Sequence, residues 1–339
     1  MQDVTTLPFM RVMARYGAPD YFFTEYFRVH PQSRPETHIV ESLAQIGPQF
    51  PIFAQIIGED IPAIERTMAA LQRYPIAGID LNLGCPAPKV YKKNVGGGLL
   101  RDPARIDRLL GAMRAATSGR FTVKMRLGFE STEHFEELLE IIAGHPVDLV
   151  SVHGRTVKQM YRGEVDYALI ARAKARLRCP VFANGNITSV AVGAAVRRRA
   201  GVDGLMIGRS AIRNPWIFRQ WREWQGGETV FQPRLRDVRA YVDDLWQAFA
   251  KPEVPDRLQA NFMKKFLNFV GQGVDPAGAF LKTMRRARDR DDLLSICDHW
   301  MLADGRADQL FADEPYAGVV ARPNHEGPGH DTPLAPCRL

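Results

Sequence analysis

The chain has 339 residues, 45% of them apolar and 24% charged, with 45 Lys and Arg against 38 Asp and Glu for a formal charge of +7. That balance is ordinary for a globular protein and excludes bulk disorder. No stretch approaches the roughly 18 to 20 uninterrupted apolar residues of a membrane span, and the opening MQDVTTLPFMRV lacks the basic and then apolar regions of a secretory signal. Cys85, Cys179, Cys297 and Cys337 lie far apart with no CxxC pair. This argues against a disulfide framework and a zinc site, so no metal and a reduced, cytoplasmic setting are expected.

In chain order, TTLPFMRVMARYG reads as a helix. From residue 22 to about 211, short β-branched and aromatic runs then alternate with longer segments of helical spacing. The runs are 22–29, 51–58, 78–86, 121–128, 149–156, 180–187 and 204–211. Between two of them, Asp102 can cap a helix that has Pro103 at its first position. Strands and helices alternating at this spacing give parallel strands joined by crossovers. The chain starts one step out of phase, so the reading is a (β/α)8 TIM barrel whose first strand is missing, with unpaired edges on the first and last strands present.

After about residue 232 the alternation stops, and helical patterns follow at 234–250, 255–272, 276–287 and 289–302. Phe262, Phe266 and Phe269 form a buried stripe there, with Lys264 and Lys265 facing outward. From Arg234 to Arg290 there are 12 Lys or Arg against 7 Asp or Glu, which suits either a phosphate backbone or a merely solvated surface. The expected organisation is a barrel over 1–232, a small helical domain over 233–303 and a disordered tail over 304–339, since 313–339 holds five prolines and three glycines.

In such barrels the active site lies at the C-terminal ends of the strands. Here those ends carry Gln55, Asn82, Cys85, Lys124, Arg126, His153, Arg155, Asn184, Asn186 and Arg209. In FTVKMRLG, alternation sends Lys124 and Arg126 toward the barrel mouth. A lysine there either pairs with a carboxylate such as Asp80 or faces a cofactor that gains negative charge on reduction. ANGNI and IGRSA each place a glycine before a helix start, the usual position of a phosphate site, which together with Lys124 suggests FMN. Cys85 opens a loop in which Lys89, Lys92 and Lys93 supply charge and Gly96, Gly97 and Gly98 are expected to allow movement, an arrangement suited to a polyanionic substrate.

GCPAPKVYKKNVGGGLL, VKMRLG, VHGRTVKQMYRGEVDY, ANGNI and MIGRSAIRNPWIF, in this order, resemble the tRNA-dihydrouridine synthases. The resemblance runs from Met1 to about residue 300. It implies an FMN-bound TIM barrel with a C-terminal helical domain that holds tRNA. It also implies a flavin, recharged by NADPH, that delivers hydride to C6 of a uracil while a cysteine protonates C5. Cys85 matches that cysteine and Asn82 the uracil contact. Gln55, Lys124 and His153 match positions lining the flavin, and Met1 matches the methionine that closes the family's first strand. Asn184, Gly185, Asn186, Gly208 and Arg209 match the phosphate turns. Arg126 and Arg155 are expected as substrate or phosphate contacts, and Lys264 and Lys265 as tRNA contacts in a segment where Phe266 replaces the family's histidine.

A monomer is expected. Two rival readings stay open on the sequence: an FMN barrel acting on a small molecule, such as a dihydroorotate dehydrogenase, and an RNA-binding barrel without catalysis.

Overall fold

The computed structural model describes residues 1–322. Cys337 and the end of the expected tail lie outside the described residues. The chain divides into two compact units. The first is Met1–Met10, Asp20–Gly185 and Ala194–Met206; the second is Arg11–Pro19, Asn186–Gly193 and the chain from Ile207 onward.

The first unit is built on a curled parallel sheet, a TIM-barrel-like α/β fold. Its strands are β1 (Phe22–Phe23), β2 (Phe27–Arg28), β3 (Ile52–Ile57), β4 (Gly78–Leu83), β5 (Arg120–Arg126), β6 (Leu149–His153), β7 (Val181–Asn184) and β8 (Gly204–Met206). They follow the runs expected from sequence, with one difference. The run 22–29 is broken at Thr24–Tyr26, and β1 and β2 pair separately with β3. The break has a cause in hydrogen bonding, because the Thr24 hydroxyl accepts from the Gln55 backbone N–H at 3.0 Å. Strands β3 to β8 pair in sequence order. Among the described residues no ladder joins β8 to β1 or β2, so the edges are unpaired as expected.

Alternation along these strands sorts side chains into two layers. Ile79, Leu81, Val123, Met125, Val150, Val152, Val181 and Ala183 are fully buried on the outer face. Each of these but the smaller Ala183 contributes about 1.5–3 kcal/mol by leaving water. Helices Ile61–Leu71, Pro103–Ala116, Phe135–Ala143 and Tyr167–Arg176 pack one against the next. Three of them are capped by aspartates, Asp102 as the sequence suggests. Asp60, Asp102 and Asp166 accept from the backbone N–H of Ala63, Arg105 and Leu169 at 2.9, 3.0 and 3.0 Å, and such caps are worth about 1 kcal/mol each.

The second unit is helical. Leu235–Phe249, Asp256–Val270, Ala279–Met284 and Arg290–Met301 form its centre, close to the expected ranges. Phe266 and Phe269 are buried, and Phe262 is half-buried against Phe249 with ring centres 5.1 Å apart. Lys265 faces outward over the Phe262 ring, 4.8 Å from its centre. Lys264 does not. Its ammonium turns back to Asn261 Oδ1 at 3.0 Å and to the Ala287 carbonyl at 2.5 Å.

The expected tail is packed as far as Arg322, which corrects the disordered reading for 304–322. Phe311, Val319 and Ala321 are buried. The Tyr316 N–H donates to the Gln272 carbonyl at 2.9 Å, and Arg285 donates to the carbonyls of Val320 and Ala321 at 2.8 and 3.2 Å. A segment poor in apolar residues is held here by a few buried ones and by arginine bonds to its backbone.

Candidate active site

The inward faces of β3 to β8 carry polar residues in register. Gln55, Asp80, Thr122 and Leu149 form one row, and Asn82, Lys124, Ser151, Phe182 and Gly204 the next. Arg126, His153, Asn184 and Met206 form a third, at the strand ends.

A continuous relay runs from the first row to Cys85. Asp80 is fully buried and accepts from the Thr122 hydroxyl at 2.6 Å and from Gln55 Nε2 at 2.7 Å. Gln55 Oε1 accepts from Asn82 Nδ2 at 2.8 Å, and Asn82 Oδ1 accepts from the backbone N–H of both Gly84 and Cys85 at 3.0 Å. Burial pushes the Asp80 carboxyl up to about 6, while the bonds from Thr122 and Gln55 and the charge of Lys124 pull it down. The relay fixes the turn that presents Cys85, whose side chain is partly exposed. Cys85 packs against Tyr26, Ile57 and Val90, which brings the Tyr26 phenol beside its thiol. Burial raises the Tyr26 pKa to about 12, so the phenol stays neutral.

Lys124 is half-buried and, among the described residues, has no hydrogen-bond partner; the alternative pairing with Asp80 is absent. Burial pushes its ammonium down to about 8 with Arg126 adding to the effect, while the charges of Asp80 and Cys85 oppose it. Its register neighbour Ser151 is fully buried, with a hydroxyl that also lacks a partner among the described residues. A cation and a hydroxyl left unsatisfied side by side are costly unless a polar, electron-rich group meets them. The edge of a flavin ring is such a group, so these residues fit the expected cofactor.

Arg126 and Arg155 are committed elsewhere. Arg126 donates to the carbonyls of Gly84, Thr156 and Met160 at 2.9, 2.8 and 2.7 Å, tying the loop after β4 to the loop after β6. Arg155 is fully buried and donates twice to the Gly163 carbonyl, at 3.1 and 2.7 Å. Both hold loops from within. His153 is buried, and the amide of Asn184 donates to the Met206 carbonyl at 2.7 Å. The Gly185 carbonyl accepts from the Tyr167 hydroxyl at 2.5 Å. A Cβ on Gly185 would lie 3.0 Å from Val165, and its φ of +123° is one that side chains rarely adopt. Burial pushes the Met1 amino group down to about 6, with the charge of Glu25 opposing and that of Lys124 adding to the effect.

The glycines after Cys85 serve close approach rather than movement, which corrects the expectation of a mobile loop. A Cβ on Gly97 would lie 2.5 Å from Val157 and 2.8 Å from the Cys85 carbonyl, and one on Gly98 would lie 2.6 Å from the Tyr91 carbonyl. Lys89, Lys92 and Lys93 remain exposed on the rim.

In the second unit, Arg209 donates to Asn186 Oδ1 at 3.3 Å, and Asn186 itself has a left-handed φ of +44°. Gly208 precedes the short helix Arg209–Arg213. Sequence reasoning missed Tyr26, which it placed inside a continuous strand, and Ser151. The alternation Ser151–His153 was the signal that could have found the latter. No group of three or more metal-ligating side chains is present among the described residues, and no helix there is long and apolar enough to cross a membrane.

Residues 1–298 match the family model for dihydrouridine synthase (Dus). A probable tRNA-dihydrouridine synthase of Helicobacter pylori is 38% identical over 64% of this chain and 67% of its own. A tRNA-dihydrouridine synthase B of Pseudomonas putida is 37% identical over 57% of this chain and 58% of its own. Another of that name, from Xanthomonas campestris pv. campestris, is 35% identical over 87% and 89%. With the family match spanning both the sheet and the helices of the second unit, the chain belongs to the dihydrouridine synthase family.

Proposed function

We propose that this protein reduces a uridine of tRNA to 5,6-dihydrouridine, with Cys85 as the general acid. The observation that carries the reading is the juxtaposition of a partly exposed Cys85, on a turn locked by Asn82, with the unpaired Lys124 in the adjoining strand. FMN, reduced by NADPH, supplies the hydride that goes to C6 of the uracil. Cys85 gives its proton to C5 and is left as a thiolate, which the Tyr26 hydroxyl stabilises by donating to it. Asn82 offers the uracil the amide N–H not spent on Gln55. Lys124, Gln55 and His153 line the flavin ring, and the Lys124 cation stabilises the charge that the ring carries when reduced. Asn184, Gly185, Asn186, Gly208 and Arg209 serve the phosphate.

The target base has to leave the tRNA stack to reach Cys85. Binding then comes from phosphates and RNA shape, to which Lys265 and the exposed lysines of the rim contribute. In this reading the residues of 233–303 form the tRNA-holding domain, and the protein acts in the cytoplasm as a monomer.

The test is dihydrouridine content in tRNA from a host lacking its own synthases, expressing the chain with and without Cys85→Ala. Removal of a general acid costs about 100-fold or more in rate. Dihydrouridine with the wild type and its near loss with the variant, at unchanged tRNA binding, are expected. No dihydrouridine from a folded, flavin-loaded wild type would favour a small-molecule flavoenzyme.

A further inference from the structure

We propose that Arg213, Ser189 and Glu314 are positioning residues that brace the Asn186–Ser189 turn from behind, so that the C-terminal segment 310–322 serves cofactor binding without touching the cofactor. The proposal rests on the assignment of that turn to the flavin phosphate.

Asn186 adopts a φ of +44°, a strained conformation for a residue other than glycine, and such turns persist only when their surroundings hold them. Besides the Arg209 bond to Asn186, two bonds hold this one from behind. Arg213 is fully buried and donates to the Thr188 carbonyl at 3.0 Å. Two further N–H groups reach the C-terminal segment, at the Ala312 carbonyl (2.7 Å) and the Asp313 carbonyl. One guanidinium thus fastens the turn after β7 to residues more than a hundred positions later. The second bond comes from the segment itself, since Glu314 Oε1 accepts from the Ser189 hydroxyl at 3.1 Å. That hydroxyl in turn accepts from the Val192 N–H at 3.2 Å.

The segment is held in place well enough to act as a brace. The Phe311 side chain is buried, and its ring lies 5.5 Å beneath the Arg213 guanidinium. It also sits so close to Gly273 that a Cβ there would approach to 2.5 Å. The Ala312 N–H donates to the Gly273 carbonyl at 3.3 Å. Arg213 is placed four residues after Arg209, so the helix Arg209–Arg213 carries both the expected phosphate ligand and the residue that ties the turn to the segment. A turn whose N–H groups are fixed in advance binds an anion more tightly because less ordering is left to do on binding.

The experiment compares FMN with riboflavin, which has the same ring system but no phosphate. Dissociation constants for both are measured by flavin fluorescence on the full chain, for wild type, Glu314→Ala, Glu314→Gln, Ser189→Ala and Arg213→Met. Loss of a hydrogen bond to a charged group corresponds to about tenfold in affinity. Glu314→Ala and Ser189→Ala are expected to weaken FMN by up to about that factor and leave riboflavin within twofold, with Glu314→Gln, which keeps an acceptor, close to wild type. Arg213→Met is expected to show the largest FMN loss. If it fails to fold, the two milder variants decide. Equal losses for FMN and riboflavin, or no loss for either, overturn the brace while leaving the flavin reading intact. A wild-type chain that binds neither compound overturns the flavin reading and the brace with it.

Discussion

The inward face of the sheet contrasts two stretches that lie side by side. From Gln55 through Asp80, Thr122 and Asn82 to the Cys85 turn, the side chains form an unbroken hydrogen-bond relay. One position along, the half-buried Lys124 and the buried Ser151 make no hydrogen bonds among the described residues. The first stretch is complete without a ligand and fixes geometry. The second leaves a buried hydroxyl unsatisfied beside a half-buried cation, a cost that a bound polar group offsets, and such cost tends to collect where binding or catalysis happens. The same contrast separates two cations on β5, since Arg126 donates to three loop carbonyls and Lys124 to none among the described residues. Two residues of like charge, two positions apart on one strand, therefore have opposite jobs.

Replacing each of the two breaks this comparison in a different way, and the larger effect is expected at Arg126. Arg126→Met leaves the carbonyls of Gly84, Thr156 and Met160 without their donor inside the protein. Unfolding stability should fall by about 3 kcal/mol or more, a loss readable in urea titrations with and without flavin. An Arg126→Met chain as stable as the wild type but unable to bind tRNA would instead make Arg126 the substrate contact expected from sequence.

Lys124→Met should move stability the other way. Burial lowers the Lys124 pKa from 10.5 to about 8, so the folded state disfavours the charged form. Between about pH 8 and 10.5 the unfolded chain holds a proton that the folded chain has released, so wild-type stability rises with pH across that window. Removing the ammonium should raise the stability of the flavin-free protein at pH 7 by on the order of 2 kcal/mol and flatten this rise. Flavin binding should be lost at the same time. Asp80 gives an opposite slope that the variant keeps. Its pKa is raised from 3.8 to about 6, so stability falls as pH climbs between those values in both proteins. A variant that is less stable at pH 7 would mean that Lys124 has a structural partner after all.

How far the sequence was legible follows from the range of the forces involved. The strands, the helices over 235–301 and the Asp102 cap depend on residues near one another in the chain, and local patterns expose them. Alternation also put Lys124 and Arg126 on the same inward face correctly. What alternation could not reveal is which of the two meets a carbonyl, because those of Thr156 and Met160 belong to a loop 30 or more residues further on. The glycines at 96–98 looked like flexibility because a sequence does not show that Val157 and the Tyr91 carbonyl crowd them. Residues 310–322 looked like a tail because Phe311, Pro315, Val319 and Ala321 are too few buried side chains for a periodic signal.

The helical unit offers the mildest and sharpest contrast, between adjacent lysines. Lys264 spends its ammonium on Asn261 and Ala287, whereas Lys265 is exposed above the Phe262 ring. If the helices hold tRNA through phosphates, only the lysine that faces outward can release a counterion on binding. Lys265→Ala should then weaken tRNA binding a few-fold, by the same factor for every tRNA, and lower the slope of log affinity against log salt by about 0.7–0.9. Lys264→Ala should leave that slope unchanged and act through stability, by loosening the Ala287 carbonyl. Measuring both variants across salt concentrations separates the roles, because a packing defect shifts affinity without changing the number of ions released. A slope that changes at Lys264 rather than Lys265 would put the RNA on the other side of the Asp256–Val270 helix.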